Sequence, residues 1–170
     1  LALNALDAQS AAGGGGAKGY PNLNDDDWLW GGSIDQIHQT IAFGVRNANE
    51  KSRQSMMPRF GADSVLSAAQ VGAVTDYVLS LSGRAQATPE GAKIFAENCV
   101  SCHMAGGKGN PELGAPNLAD GIWLYGGDRA SVYRSIFSSH AGSMPAWNER
   151  LDDATLKMLA VYVHSLGGGK

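Results

Sequence analysis

The chain's only two cysteines are separated by two residues and followed directly by a histidine, in Cys99-Val100-Ser101-Cys102-His103. Two thiols at this spacing can form thioethers with both vinyl groups of one porphyrin, and the imidazole behind them can bind the iron. The pattern is typical of c-type haem attachment. It predicts one haem c bound covalently at Cys99 and Cys102, with His103 as the proximal iron ligand.

Three other interpretations of the cysteine pair are weaker. A zinc site needs four Cys or His ligands at paired spacings, and the chain has only two cysteines. A thioredoxin-type redox pair expects a βαβ context, which the flanking residues do not supply. A structural disulfide leaves the adjacent histidine unexplained. The haem interpretation is therefore the leading one.

The sixth iron ligand is expected from a methionine. Met144 is followed by Pro145, and a proline restricts the backbone of a loop that must hold sulfur against iron. A methionine that fills a core gap is the ordinary alternative. His140, four residues earlier, is a rival ligand, but Gly142 and Pro145 interrupt any helix that would carry both side chains. Met144 is therefore predicted to be the distal ligand.

Composition excludes several classes of function. Charged residues make up 17% of the 170 residues and the formal net charge is −3, so a broad basic surface for nucleic acid is not expected. There is no run of eighteen apolar residues that could span a membrane. Residues from Leu1 onward lack the basic start of a signal peptide, so the chain is expected to be mature or excised from something longer.

An internal repeat organises nearly the whole chain. Four blocks recur in the same order: 19–23 (GYPNL) with 114–118 (GAPNL), 28–32 (WLWGG) with 123–127 (WLYGG), 57–60 (MPRF) with 144–147 (MPAW), and 77–81 (YVLSL) with 162–166 (YVHSL). The first copy carries a few extra residues around 46–53. The repeat predicts two homologous domains, at 1–82 and 89–170, joined by a linker at 83–88.

Helical signals dominate both copies. Apolar residues at helical spacing predict a last helix in each, around 71–81 and 156–166. A middle helix is expected near 34–43 and near 130–138. Thr88-Pro89-Glu90 combines a cap, a first-turn proline and an acid, which predicts a helix that runs to about Asn98 and delivers the haem motif. Strand signals are absent, so the predicted fold is all-α, with long loops around the haem.

These residues resemble a known family. Gly91 and Phe95, with Leu159 and Tyr162, are similar to the crossed terminal helices of class I cytochromes c. The tandem Pro-Asn-Leu, Trp-Leu-Trp/Tyr-Gly-Gly and Met-Pro blocks resemble the dihaem c subunit (FixP or CcoP type, subunit III) of cbb3-type oxidases. The resemblance covers residues 19–170 and implies two tandem cytochrome c domains.

The resemblance also implies function and location. It implies an electron carrier, not itself catalytic, that passes electrons from a soluble cytochrome or membrane donor to the catalytic subunit of the oxidase, beside its monohaem c subunit. It places the chain on the periplasmic side of the bacterial inner membrane, in a membrane-anchored parent. The carbonyl of Pro116 would accept a hydrogen bond from the proximal imidazole. Trp123, Tyr125 and Arg129 could donate hydrogen bonds to the haem propionates.

The first copy departs from the family. The positions that match the haem motif are Asn4, Asp7 and Ala8, followed by a Gly-rich segment at 13–16. The site has been lost or engineered away, or the sequence lacks residues that the molecule contains. One haem is predicted; a second in residues 1–82 requires the last explanation. Met57 would then be its iron ligand.

Outer-sphere electron transfer is the predicted activity. His/Met ligation leaves no open position at the iron, so electrons pass without substrate binding. An enzyme with an open distal site, of the peroxidase kind, is the first alternative. A gas-sensing or assembly module, in which haem serves structure, is the second.

Overall fold

The computed structural model describes residues 19–167, and the regular secondary structure of this part of the chain is helical. The α-helices are α1 (Ile34–Phe43), α2 (Ala68–Leu81), α3 (Pro89–Asn98), α4 (Val100–His103), α5 (Arg129–Ser138) and α6 (Asp153–Leu166), with a 3₁₀ turn at Ala105–Gly107. No β-strand forms among the described residues. The predicted all-α fold is confirmed. The predictions for Asn4, Asp7, Ala8 and the Gly-rich segment concern residues outside the described range.

The longer helices begin at polar side chains that accept hydrogen bonds from the helix backbone. The caps of α1, α2, α3, α5 and α6 are, in turn, Ser33, Ser67, Thr88, Asp128 and Asp152. Such a cap satisfies N–H groups that have no partner inside the helix. Because the caps of α1 and α5 hold equivalent places in the repeat, as do those of α2 and α6, the two copies start their helices alike.

The described chain forms two compact units. The central unit is Met56–Ala141, and the terminal unit combines the described residues 19–55 with 142–167. This division differs from the predicted domains at 1–82 and 89–170, because each unit takes its last helix from the other sequence repeat. The two domains inferred from the sequence repeat stay a prediction. The compact units of the structure do not coincide with the repeats.

The central unit is built on the crossing of α2 and α3. A Cβ built on Gly91 of α3 would collide with the Ala73 carbonyl oxygen and lie 2.9 Å from the Cβ of Tyr77, so the two backbones pass in close contact. The rings of Tyr77 and Phe95 lie 5.1 Å apart at the same crossing. Gly91 and Phe95 were predicted correctly at this crossing. The partner helix was predicted wrongly, because Tyr77 stands where Tyr162 was expected.

Loop length favours the pairing of α2 with α3 over the pairing of α3 with α6. Leu81 ends α2 and Pro89 begins α3, so their pairing closes only a short loop. Pairing α3 with α6 would close a loop that contains the haem motif and α5, and the entropy cost of closure rises with loop length. Since the last helices of the two repeats are similar in sequence, the nearer one can make the same crossing.

The core of the central unit lies between α2, α3 and α5. Its buried residues include Val71, Val74 and Val78 on the predicted face of α2. Phe95 and Cys99 of the haem segment, and Val132 and Ile136 of α5, complete it. This core therefore joins the haem motif to the last helix of the first repeat.

The terminal unit packs α6 against α1. Leu156 and Ala160 of α6 are buried, whereas Leu159 is 36% exposed and Tyr162 53% exposed. Leu159 and Tyr162 had been predicted at the helix crossing, and that prediction is wrong because α3 crosses α2 instead. Within residues 19–167, none of the helices has the length and apolar character needed to cross a bilayer.

Candidate haem site

The haem motif occupies the turn where α3 passes into α4. Cys99 ends α3, and its carbonyl accepts a hydrogen bond from the His103 N–H at 2.8 Å. Cys99 is 8% exposed and Cys102 is half-buried, and both are free thiols. Burial, with a smaller contribution from neighbouring Cys102, raises the pKa of the Cys99 thiol to about 11. One helical turn thus presents both thiols and the imidazole together.

The His103 ring is oriented by a backbone carbonyl. Its Nδ1 lies 3.0 Å from the Pro116 oxygen. A carbonyl can only accept, so Nδ1 carries the proton and donates, and Nε2 keeps a lone pair for a metal. Burial lowers the pKa of His103, and the bond to Pro116 partly opposes this shift. The structure contains the His103–Pro116 contact that the resemblance implied, whereas iron ligation by His103 stays a prediction.

The loop that carries Pro116 folds back onto the motif through backbone hydrogen bonds. Asn110 and Ala115 bond each other in both directions, at 2.8 and 3.1 Å. The Leu118 N–H donates to Gly107 at 2.6 Å, and the Gly109 N–H donates to His103 at 2.9 Å. The Pro116 carbonyl is therefore held in place by the segment just after the haem motif.

Backbone conformation and space explain the two glycines of the Trp-Leu-Tyr-Gly-Gly block. Gly126 has φ of +100°, a conformation that favours glycine. A Cβ on Gly127 would lie 2.6 Å from the Trp123 indole, so the second glycine makes room for the ring. The terminal unit repeats both features at Gly31, with φ of +87°, and at Gly32, where a Cβ would lie 2.7 Å from Trp28.

Trp123 carries an unused hydrogen-bond donor. Its ring packs against the core of the central unit, and its Nε1 is buried with no hydrogen-bond partner among the described residues. A buried donor without an acceptor costs free energy, so an acceptor from a bound group would fit there. This observation is consistent with the predicted role of Trp123 toward a haem propionate.

The other two predicted propionate partners have neighbours of their own. Tyr125 stacks on His140, with ring centroids 3.9 Å apart. Arg129 forms a two-pronged pair with Asp76 of α2, with Nε–Oδ1 at 2.7 Å and Nη2–Oδ2 at 3.0 Å. Asp76 was not predicted as a partner of Arg129. The one sequence signal for it is its place on the polar face of a predicted helix. A role for Tyr125 and Arg129 in haem binding stays a prediction.

The two candidate methionines fall in different units. Met57 belongs to the central unit and packs against the core that includes Cys99. Met144 belongs to the terminal unit, where it exchanges backbone hydrogen bonds with Val45 at 2.9 and 3.0 Å. The structure therefore brings Met57, and not Met144, into the unit that holds His103. Sequence order had favoured Met144.

The described residues fit a haem better than a bare metal ion. No group of three or more His, Cys, Asp or Glu side chains among residues 19–167 is arranged to hold a metal. The free thiols, the His103 tautomer and the unpaired Trp123 donor together match the needs of a covalently bound porphyrin.

The chain is similar to subunits of one bacterial oxidase. Residues 86–163 match the family described as cytochrome c oxidase, cbb3-type, subunit III. Over 94% of the chain, identity is 57% with the cbb3-type cytochrome c oxidase subunit FixP of Bradyrhizobium diazoefficiens. It is 56% with FixP of Azorhizobium caulinodans and 52% with the subunit CcoP of Cereibacter sphaeroides, again over 94% of the chain.

The chain belongs to the FixP/CcoP family of cbb3-type oxidase subunits. The predicted resemblance is confirmed. The chain spans only about half of these relatives, 56% of the Bradyrhizobium protein and 55% of the Azorhizobium protein. Residues 86–163, which match the family as one continuous segment, extend from the central unit into the terminal unit of the structure. The similarity to FixP and CcoP therefore does not by itself decide which methionine serves the haem motif.

Proposed function

We propose that this chain is an electron carrier that holds haem c at Cys99 and Cys102, with His103 as proximal ligand and a methionine as distal ligand. The hydrogen bond from His103 Nδ1 to the Pro116 carbonyl carries the proposal. That bond selects the tautomer in which Nε2 is free to bind iron and holds the ring in one orientation. A histidine with only a packing role would not need this arrangement behind two free thiols.

Haem c, when bound, supplies a one-electron ferrous/ferric couple. Cys99 and Cys102 would anchor it, and His103 together with a methionine thioether would bind its iron. Because no position is then open for substrate, the protein acts as a carrier and not as a catalyst. The apolar core that contains Phe95, Val132 and Ile136 also buries Cys99, and thioether ligation favours a higher potential.

The partners follow from the names of the relatives. FixP and CcoP are described as subunits of cbb3-type cytochrome c oxidase. We infer that the chain passes electrons to the catalytic subunit of such an oxidase, beside a monohaem c subunit, from a soluble cytochrome or membrane donor. We place it on the periplasmic side of the bacterial inner membrane, within a membrane-anchored parent. The relatives cited above are not named as peroxidases or sensors.

We further propose that this sequence carries one haem, in one of two tandem cytochrome c-like repeats. Both thiols of the chain belong to the second repeat. A second haem in residues 1–82 would need attachment residues that this sequence does not contain.

Haem-loaded protein tests these proposals. We expect an intact mass that exceeds the polypeptide by one haem, a pyridine haemochrome spectrum of c type, and haem that stays with the protein after acid–acetone extraction. Cys102→Ser should weaken attachment, since one thioether is lost. We also expect reversible one-electron titration without rapid carbon monoxide binding. Extractable haem, or a ferrous form that binds carbon monoxide rapidly, would contradict the carrier function.

A further inference from the structure

An ordered turn at the end of α2 holds Arg84. The N–H of Gly83 donates to the Ser80 carbonyl at 3.0 Å, and the N–H of Arg84 donates to the Leu79 carbonyl at 2.9 Å. Gly83 has φ of +73°, a conformation that is common at helix ends and favours glycine. The backbone of Arg84 is therefore fixed by the helix end, although the residue lies in the predicted linker at 83–88.

The Arg84 guanidinium lies beside the donor edge of the Trp123 indole. Its Cζ lies 6.0 Å from the centre of the indole ring, and its Nη1 donates to the Gly127 carbonyl at 3.4 Å. A Cβ built on Gly127 would collide with Arg84 Nη1 and would lie 2.6 Å from Trp123 Cδ1, the carbon bonded to Nε1. The Arg84 cation and the buried Nε1 donor, which has no partner in the described chain, therefore form one cluster.

Arg84 brings a charge to this cluster that no carboxylate neutralises. None of the acidic side chains in residues 19–167 forms an ion pair with it, and the Gly127 contact uses only part of its five N–H donors. Arg129, the arginine that the family resemblance implied for a propionate, is already paired with Asp76 through two hydrogen bonds. Arg84 is therefore better able than Arg129 to bind a further carboxylate.

The terminal unit lacks the haem motif, and its equivalent tryptophan lacks a neighbouring cation. Trp28 holds the place of Trp123, and its Nε1 is also buried without a partner within residues 19–167. Arg46 and Arg53 lie over Trp30, and in the described part of the chain no cation lies over Trp28. The pairing of a buried indole donor with an arginine therefore occurs in the unit that holds the haem motif.

We propose that Arg84 and Trp123 together bind one haem propionate, and that Arg84, not Arg129, is its cationic partner. A guanidinium presents paired N–H donors that match the two oxygens of a carboxylate. The same carboxylate would give Trp123 Nε1 the acceptor that it lacks. The connection between the repeats would then contribute directly to the cofactor site. The assignment rests on the proposed function, which requires covalent haem but does not require a particular propionate partner.

Substitutions of Arg84 in the haem-loaded protein test the assignment. Arg84→Gln removes the charge, and Arg84→Lys keeps it in a different hydrogen-bonding geometry. Arg150→Gln is the matched control, because Arg150 Cζ lies 5.5 Å from the centre of the Trp147 ring in the terminal unit. The readouts are the reduction potential and the infrared difference spectrum between ferric and ferrous protein, with carbon-13 in the haem carboxyl groups to identify the propionate bands.

We expect Arg84→Gln to lower the reduction potential, because a propionate without its cation favours ferric iron. The ratio of ferric to ferrous protein at a fixed potential should rise by about two- to fivefold, as for a partly exposed charge interaction, and a propionate band should shift. Arg84→Lys should restore most of the potential but should also shift the band. Arg150→Gln should change neither the potential nor the band.

An unchanged potential and an unshifted band in Arg84→Gln, with haem still covalently attached, would overturn the assignment and leave the proposed carrier function standing. Equal effects in Arg84→Gln and Arg150→Gln would also overturn it, since they would report only the loss of a surface charge. Effects confined to the double variant Asp76→Asn/Arg129→Gln would make Arg129 the partner instead. If Arg84→Gln does not load haem, Arg84→Lys decides: a shifted propionate band supports the assignment, and an unshifted one overturns it.

Discussion

Gly91 lies against Tyr77, the tyrosine of the first repeat, and not against Tyr162, its equivalent in the second. A Cβ on Gly91 would come within 2.9 Å of the Tyr77 Cβ, while Tyr162 is 53% exposed. The crossing that closes a class I cytochrome domain is therefore made between two helices that follow each other in sequence.

Gly91→Leu is expected to destabilise the central unit. The added side chain would collide with the Ala73 carbonyl of the facing helix, and overpacking of this kind costs about 1–3 kcal/mol. Urea denaturation followed by far-ultraviolet circular dichroism measures the change. Gly72→Ala is the control: its Cβ would meet only an arginine nitrogen at 3.6 Å, so it should be neutral or stabilising, by about 0.5–1 kcal/mol. Equal midpoints for Gly91→Leu and the parent protein would show that the helices do not cross at this residue.

The two equivalent tyrosines are expected to differ in their effect on stability. Tyr77→Ala removes a ring that lies 5.1 Å from the Phe95 ring, and we expect it to lower the free energy of unfolding by about 2–4 kcal/mol. Tyr162→Ala changes an exposed residue and should stay within about 0.5 kcal/mol of the parent. Chemical denaturation of both variants under one set of conditions gives the comparison. A larger effect at Tyr162 would mean that α6, and not α2, crosses α3.

Trp123→Phe is expected to lower the reduction potential of the haem-loaded protein. The substitution keeps the ring in the core but removes the buried Nε1 donor. The proposed hydrogen bond from Nε1 to a haem propionate would be lost, which would leave that charge less compensated and favour ferric iron, and we expect a change on the order of tens of millivolts. Potentiometric titration measures it.

Trp28→Phe is the matched control for this experiment. Trp28 holds the equivalent place in the terminal unit, and its Nε1 is also buried without a partner among residues 19–167, but that unit lacks the haem motif. The potential should therefore stay unchanged. Equal shifts in the two variants would argue against a specific role for Trp123.

The pair of Asp76 and Arg129 is expected to lower the free energy of unfolding as the pH falls into the acid range. Hydrogen bonding to the Arg129 guanidinium, and its charge, lower the pKa of Asp76 from its ordinary value of 3.8 against an opposing effect of burial. A carboxylate with a depressed pKa stabilises the fold above its unfolded pKa, and that stabilisation disappears as pH falls through the folded pKa. At neutral pH, Asp76→Asn should lose about 0.5 kcal/mol, as expected for a partly exposed pair.

Urea denaturation at several pH values tests the direction of this pH dependence. The difference between Asp76→Asn and the parent should shrink toward zero below the ordinary pKa of the carboxyl group. Added salt should also reduce it at neutral pH, because exposed charges are screened. A difference that stays constant across the acid range would assign the effect to packing and not to charge.

Much of this molecule can be predicted from local sequence. The haem chemistry depends on Cys99, Cys102 and His103, which are close neighbours, so one helical turn is enough to bring them together. The helices follow from caps such as Thr88 and Asp152 and from apolar spacing, both of which act over a few residues. The contact between His103 and Pro116 also joins residues of one short loop, and the family resemblance was enough to predict it.

Tertiary structure alone decided which of two similar partners each element uses. Tyr77 and Tyr162 are equivalent in the repeat, so the local pattern around them holds no information about which one lies against Gly91. In the described structure the short connection between α2 and α3 favours their pairing, because closing a small loop costs less chain entropy than closing a long one. The pairing of Arg129 with Asp76 depends on the same packing, since it requires α5 to lie against the last helix of the first repeat. A sequence repeat determines which helices can pair, and the tertiary packing of their apolar faces determines which do.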